Sequence, residues 1–464
     1  MFDRMVLNTN DESLLKGVYQ RLADKPLQPG DPFYEPIYKR LEGEDPVAKL
    51  RTHIEWTTVE SMQLFSGFQG TGKTTELFRL RRDLEEKGYL VLYANALDYL
   101  SSSEEIDIVT MLMGVAGAFG EQLEEVSGGK ILAETFWQRM VNYLNKTTIE
   151  VNEVSAKVET GSLAKTLMVD LNAGLDIKAA LKTAPSFRQR LQAFLSNRLS
   201  ELKAQVDSFV EAGVKQVRLA KNNPELPVVF LFDQFEQLRG SRSTEQAIIQ
   251  SVEQLFANHL DMLKLPLVHV IYSVPPWLQF VLPGKFSIET LPCVRLWKNN
   301  SERTPDENGH TLLLEAVTKR FGQEIFDHIF GQSPHEKILA ARLVTLSGGH
   351  FRDLLRLFRE TIVLISTWRP FLPVKPEVIE RAIINVRNQY LPIAIEDACW
   401  LEKIARLRDT ALPDSTPENI GRLSRFLDSH LVLYLTNGED WYDLHPLIRD
   451  EVGVLVKEQA IEKG

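Results

Sequence analysis

Gly67-Phe68-Gln69-Gly70-Thr71-Gly72-Lys73-Thr74 fits the pattern G-x-x-x-x-G-K-S/T at every fixed position. Its flanks suit that pattern. Met62-Gln63-Leu64-Phe65 reads as a short buried strand. Leu77, Leu80 and Leu84 recur at helical spacing, and Gly88 follows as a C-cap. A strand, a glycine-rich turn and a helix N-terminus aim backbone N–H groups and a helix dipole at one anion. The expected ligand is a nucleoside triphosphate or its product, ATP or ADP. The eight loop residues, with Thr75 in the same turn, are the candidate phosphate contacts. Lys73 is expected to reach the β- and γ-phosphates and Thr74 to ligate Mg2+.

Val228-Val229-Phe230-Leu231-Phe232-Asp233 is an unbroken apolar run ending in a carboxylate. Such a run predicts a strand buried on both faces. Asp233 at its end is the expected second holder of Mg2+. Many related ATPases carry Glu next, to orient the attacking water, but here the residue is Gln234. Glutamine can hydrogen-bond water but cannot take its proton at neutral pH. Glu236, two places on, is the candidate catalytic acid; its alternative is an ordinary surface acid. Leu267 to Ser273 predicts the neighbouring strand. Ser273 then either contacts the γ-phosphate or caps the following turn. Leu291 to Leu296 reads as the last strand of the sheet.

The 464 residues are long enough for two to four domains, and 44% hydrophobic with 25% charged content suits a soluble globular chain. No apolar run approaches a membrane span, and Met1-Phe2-Asp3-Arg4 lacks a signal-peptide core. The two cysteines, Cys293 and Cys399, have no metal-ligand spacing and suit a reducing cytoplasm. A net charge of −10 disfavours broad, non-specific nucleic-acid binding.

Residues 1–50 are polar and Pro-rich and read as a segment wrapping the core. A helix opening at Glu44-Asp45-Pro46 is either a packing helix or a neighbour of the base. Residues 51–299 form the expected P-loop core, with an insertion at about 100–222. Alternating segments at Ile149 to Val158 and Met168 to Lys178 suggest a β-hairpin within 149–178. A helical lid is expected over 300–370. It contains Ser347-Gly348-Gly349-His350-Phe351-Arg352, where Arg352 falls in a helix's first turn. The dipole prefers acids there, so Arg352 is a candidate phosphate ligand. Residues 371–464 show three helical stretches and then a hairpin about Asn437-Gly438, the pattern of a winged helix. That part has 11 Lys and Arg against 16 Asp and Glu, a poor composition for reading a phosphate backbone.

With GFQGTGKT, VVFLFDQFEQL and Trp441-Tyr442-Asp443-Leu444-His445-Pro446-Leu447 in order, the chain resembles the STAND branch of AAA+-like P-loop ATPases. These are signalling switches related to NACHT and NB-ARC proteins. The resemblance implies an α/β fold with a parallel sheet, a helical lid and a winged helix. It also implies that His445 reaches the nucleotide's β-phosphate in a closed, ADP-bound state. Ser347 to Leu357 is also similar to the "GGxxRxLL" segment of origin-recognition ATPases, which puts Arg352 forward as a γ-phosphate sensor. Phe351 stands where STAND proteins usually carry Pro. The implied function is a slow ATP/ADP switch in bacterial regulation or antiviral defence, acting through partner proteins and a nucleotide-dependent homo-oligomer. The alternative is a DNA-associated ATPase of initiator, loader or transposition-regulator type. Arg239 and Arg242 are arginine-finger candidates by position alone.

Overall fold

Every residue of Val228–Asp233 (β3) and Val268–Ser273 (β4) is buried, which explains why β3 reads as pure hydrophobics. These strands sit inside a five-stranded sheet ordered β2-β3-β4-β1-β5, with β1 Ser61–Gly67, β2 Leu90–Asn95 and β5 Ile288–Leu291. All pairings are parallel, with Phe232 opposite Tyr272, Phe65 opposite Ser273 and Asn95 opposite Asp233. This computed structural model describes residues 9–41, 45–154, 176–238, 244–282, 284 and 286–463.

Helices cover both faces. The loop helix Lys73–Glu85 connects β1 to β2 and buries Leu77, Leu80 and Leu84. Between β2 and β3, Ile108–Val126 packs along Leu199–Ala220 and over β2. Phe119 meets Phe230 edge to face at 5.8 Å.

Two expectations are corrected. No hairpin forms at the described ends of 149–178. Residues 149–154 finish the helix Phe136–Val154, and Ile177 opens the helix Ile177–Thr183; residues 155–175 lie outside the described residues. The buried positions Phe136, Met140, Leu144 and Thr147 are spaced as a helix face, and this longer register overrides the local alternation. The last sheet strand is Ile288–Leu291, not Leu291 to Leu296. Cys293 N–H instead donates to Tyr434 O at 2.9 Å and Val294 N–H to Gly349 O at 3.0 Å. These residues are apolar because the lid and the C-terminal hairpin cover them.

The lid comprises Glu307–Phe321, Gln323–Phe330, Ile338–Leu346 and Phe351–Trp368. Beyond it, Pro376–Arg387, Ile395–Leu407 and Pro417–Asp428 precede an antiparallel hairpin, β6 Val432–Thr436 with β7 Asp440–Leu444. This winged helix is folded back on the core. Arg425 pairs with Glu245 at 2.9 Å, and Gln279 Nε2 donates to Tyr442 OH at 3.0 Å. Trp297 Nε1 and Arg303 both donate to the buried Asp443, at 3.1 and 2.9 Å. Among the described residues no helix is long and apolar enough to cross a membrane.

Candidate functional site

Parallel strands finish at one edge, so β1 delivers Gly67, β3 Asp233 and β4 Ser273 to the same place. Thr74 Oγ1 donates to Asp233 Oδ2 at 2.7 Å, and Tyr93 OH from β2 donates to the same oxygen at 3.0 Å. Gln234 N–H donates to Oδ1 at 2.8 Å. Burial, and then the charge of Glu236, push the Asp233 carboxyl above its ordinary range, against hydrogen bonds from Thr74 and Gln234. A hydroxyl beside a buried carboxyl is a donor set that fits a hard divalent cation such as Mg2+.

Lys73 Nζ donates to the carbonyls of Gly67 and Phe68 at 2.8 and 3.1 Å and pairs with Glu236 Oε1 at 3.0 Å. Glu236 Oε2 accepts from Ser273 Oγ at 2.7 Å, which in turn accepts from Phe235 N–H at 3.1 Å. Backbone geometry aims Glu236 at the lysine. Gln234 adopts a left-handed φ of 67° and starts a single 3-10 turn, Phe235–Gln237. The chain turns sharply, so Glu236, not Gln234, faces Lys73. Gln234 borders the cavity, and its Oε1 accepts from Gln237 Nε2 at 3.2 Å.

The cavity beside the loop holds about 220 Å³. Its lining includes Gln69 through Thr75, Gln234 and Glu236, the apolar Pro26, Leu27, Ile37, Phe351 and Leu355, and the charged Arg320 and Arg352. The N-terminal segment is tied in place by Leu27 N–H, which donates to Thr75 Oγ1 at 3.2 Å. The helix Pro46–Trp56 does not border the cavity. Asp45 caps it and pairs with Arg79 at 2.6 Å, which makes it the packing helix of the two readings. Gly67 and Phe68 also lie outside the lining. Gly67 contributes a carbonyl to Lys73, and Phe68 is buried edge-on against Tyr434, with ring centres 6.3 Å apart.

Arg352 lies directly on the loop. Its N–H donates to Gly70 O at 3.0 Å, and a Cβ on Gly70 would come within 2.6 Å of Arg352 Cβ. Its guanidinium borders the cavity and pairs with Asp24. His445 is not in the lining. It is fully buried; its Nδ1 accepts from Leu447 N–H at 3.2 Å, and its Nε2 faces Asp353 Oδ2 at 3.5 Å. The expected direct contact with a phosphate is thus replaced here by a contact with a lid carboxylate. Arg239 and Arg242 lie outside the described residues.

Two features of the site escape the sequence. Tyr93 looks like any strand tyrosine until register places it beside Asp233. Arg320 looks like a basic residue favouring a helix C-terminus. In fact it is buried, borders the cavity over the Phe351 ring at 5.2 Å, and leaves Nε without a hydrogen-bond partner. Burial lowers its pKa to about 10. A desolvated cation facing a cavity suits an electron-rich ligand.

A phosphate loop, a buried Asp two strands away, a helical lid and a C-terminal winged helix define a P-loop NTPase fold of the AAA+ kind. No known protein family matches the chain, and no curated protein matches it. Among solved structures it is similar to the ORC2 protein of Aeropyrum pernix in ADPNP–ADP complexes. That match has 11% identity over 95% of this chain and 98% of the other, and a TM-score of 0.36. Cdc6p of Pyrobaculum aerophilum matches at 12% identity over 92% and 98%, TM-score 0.35. The ORC1 protein of A. pernix in complex with DNA matches at 15% over 98% and 94%, TM-score 0.29.

Proposed function

We propose that this protein is a Mg2+-dependent ATPase that works slowly, as a switch between ATP- and ADP-bound forms. The observation that carries this is a cavity lined by Lys73, Thr74 and Glu236, with Asp233 held against Thr74, and lined also by apolar residues that include Leu27, Ile37, Phe351 and Leu355. Phosphates fit the polar residues and a base the apolar ones. Thr74 and Asp233 are the residues for Mg2+, which supplies charge neutralisation at the phosphates when bound. Lys73 binds phosphate oxygens once it leaves Glu236. Glu236, bonded to Ser273, takes the proton of the attacking water. Gln234 keeps a water-orienting role beside it. Arg352, released from Asp24, reports on the γ-phosphate. Two features favour slow turnover: Lys73 must first exchange a carboxylate and two carbonyls for the nucleotide, and the acid sits two places past the usual position.

The docked winged helix suits the ADP form. ATP must bind an undocked form more tightly, since equal affinity would shift nothing. The undocked form then assembles with further copies or engages a protein partner, in regulation or defence. The test is to size the purified protein with ADP and with a non-hydrolysable ATP analogue, and to identify copurified nucleotide. We expect ADP in the resting preparation and a larger or more extended species with the analogue. Lys73→Ala is expected to lose both nucleotide binding and the size change; a variant that keeps them removes the reading. The winged helix itself motivates a second reading, a DNA-associated ATPase of initiator or loader type.

A further inference from the structure

Four buried side chains with no part in the nucleotide site meet where the lid and the winged helix touch. His350 and Asp353 stand three residues apart at the start of the lid helix Phe351–Trp368. His430, at a left-handed φ of 59°, lies between the helix Pro417–Asp428 and β6, and His445 follows β7. Three of the four turn donor atoms toward one point. Asp353 Oδ2 lies 2.5 Å from His350 Nδ1 and 3.7 Å from His430 Nδ1. One ligand atom from each of these three residues lies within 4.8 Å of the other two. In a tetrahedral site with bonds of about 2.0–2.2 Å, neighbouring donors stand roughly 3.4 Å apart. The two measured separations fall on either side of that spacing.

The proton positions suit an ion. His350 Nε2 lies 2.9 Å from Gln69 O. A carbonyl only accepts, so Nε2 carries a proton, and the neutral ring keeps its lone pair on Nδ1, facing Asp353 Oδ2. Two acceptors in contact need a positive charge between them, either a proton or a metal. Asp353 Oδ1 accepts from Arg356 at 3.0 Å, which leaves Oδ2 for the ion. Gln69 O and Arg356 thus hold the two ligands from outside, as the outer contacts of a metal site do. His430 Nε2 is buried without a hydrogen-bond partner, and its Nδ1 is beyond hydrogen-bond reach of Asp353. A buried imidazole with neither nitrogen paired is costly, and a metal at Nδ1 would pair one. Burial holds the His430 pKa well below its ordinary value, so that ring is neutral and free to ligate. His445 is not a ligand. Its Nδ1 accepts from Leu447 N–H at 3.2 Å, so its Nε2 carries the ring proton.

We propose that His350, Asp353 and His430 form a binding site for one divalent transition-metal ion such as Zn2+, which ties the winged helix to the lid. Three protein ligands with water in the fourth position is an established zinc arrangement. Imidazole nitrogens select such an ion over Mg2+, which takes oxygen ligands. The site shares no residue with Thr74 and Asp233 and needs no nucleotide.

The test uses the untagged full chain, stripped of metal with a chelator. Zn2+ is titrated in competition with a chromophoric chelator, and Co2+ is added in parallel as a spectroscopic probe. We expect one Zn2+ per chain, not displaced by excess Mg2+, and the intense visible bands of four-coordinate Co2+. His430→Leu keeps bulk and loses both nitrogens; Asp353→Asn keeps shape and loses the charge. Each is expected to weaken Zn2+ binding roughly 100-fold or more. Zn2+ should raise the melting temperature of the wild type and of neither variant. No Zn2+ on the wild type overturns the proposal. Displacement by Mg2+ overturns it too, by placing the ion at the phosphate site. Equal binding by the wild type and His430→Leu marks an adventitious ion only and has the same effect. If neither variant folds, the Co2+ spectrum of the wild type decides, and weak six-coordinate bands sink the site.

Discussion

Lys73 and Glu236 stand 3.0 Å apart, each nearly closed to solvent. Removing one partner of a buried pair strands the other charge, at a cost of about 3–5 kcal/mol. Phosphate can take over the lysine, so the pair is exchangeable. Glu236→Gln keeps the shape and the bond from Ser273 but removes the proton acceptor. We expect that variant to bind ATP at least as tightly as wild type and to hydrolyse it roughly 100-fold more slowly or worse. Gln234→Ala should slow hydrolysis only a fewfold. Single-turnover hydrolysis of labelled ATP checks both, and the reverse order would transfer the acid's role. The sequence exposes Lys73, Thr74 and Asp233 because their spacing follows from phosphate chemistry. It leaves Glu236 open because its aim depends on a left-handed Gln234, and a glutamine does not announce a positive φ. Arg320 and Tyr93 are hidden for a similar reason: their positions come from register and burial, and no local pattern encodes either.

Between elements, the junction of the lid helices Ile338–Leu346 and Phe351–Trp368 decides how closely three parts meet. Gly348 has φ of 64°, and a Cβ there would come within 2.3 Å of Leu433 and 2.9 Å of Pro446, both in the winged helix. Gly349 has φ of 80°, and a Cβ there would lie 1.7 Å from the carbonyl of Val294 in the core. The two glycines therefore serve different contacts. Leu433 Cδ1 is a side-chain tip and can yield; the Val294 carbonyl is backbone and cannot. Gly348→Ala should fold, lose about 1–3 kcal/mol through left-handed strain and overpacking, and loosen winged-helix docking. Gly349→Ala should lose more. Thermal melting of the two variants side by side checks this, with limited proteolysis of the hairpin as the second readout. Equal losses with an equally protected hairpin would contradict this division. Element reading from sequence succeeds where a periodic run is long or flanked by turn signals, as for β3 and the loop helix. It fails at Leu291 to Leu296, where burial comes from a distant hairpin, and at Ile149 to Val154, where a short alternation hides the end of a long helix. The apolar lining residues Pro26, Leu27 and Ile37 are equally hidden, because they lie in a Pro-rich polar segment with no periodicity to mark them.

Over the whole molecule, the winged helix is turned inward. Its third helix, Pro417–Asp428, is the one that a DNA-binding winged helix would lay in a groove. Here it packs on the core helix Glu245–His259, with Gly421 near Ile249. Arg425 pairs with Glu245, and Arg422 pairs with Asp397. Both arginines of that helix are thus held by carboxylates of the same chain, and the chain carries −10 overall. Duplex binding would require the helix to leave the core and exchange those carboxylates for phosphates. Each phosphate neutralised contributes about −0.9 to the slope of log affinity against log salt. Two freed arginines and their neighbours would therefore give a slope of roughly −2 or steeper. On the proposed switch reading we expect no duplex affinity for the ADP form, even at low salt, and none for the form holding a non-hydrolysable ATP analogue. Fluorescence anisotropy with a labelled duplex across a salt series checks this. Affinity that appears only with the analogue, falls with that slope, and disappears in Arg422→Ala/Arg425→Ala would make DNA the partner and undocking its gate.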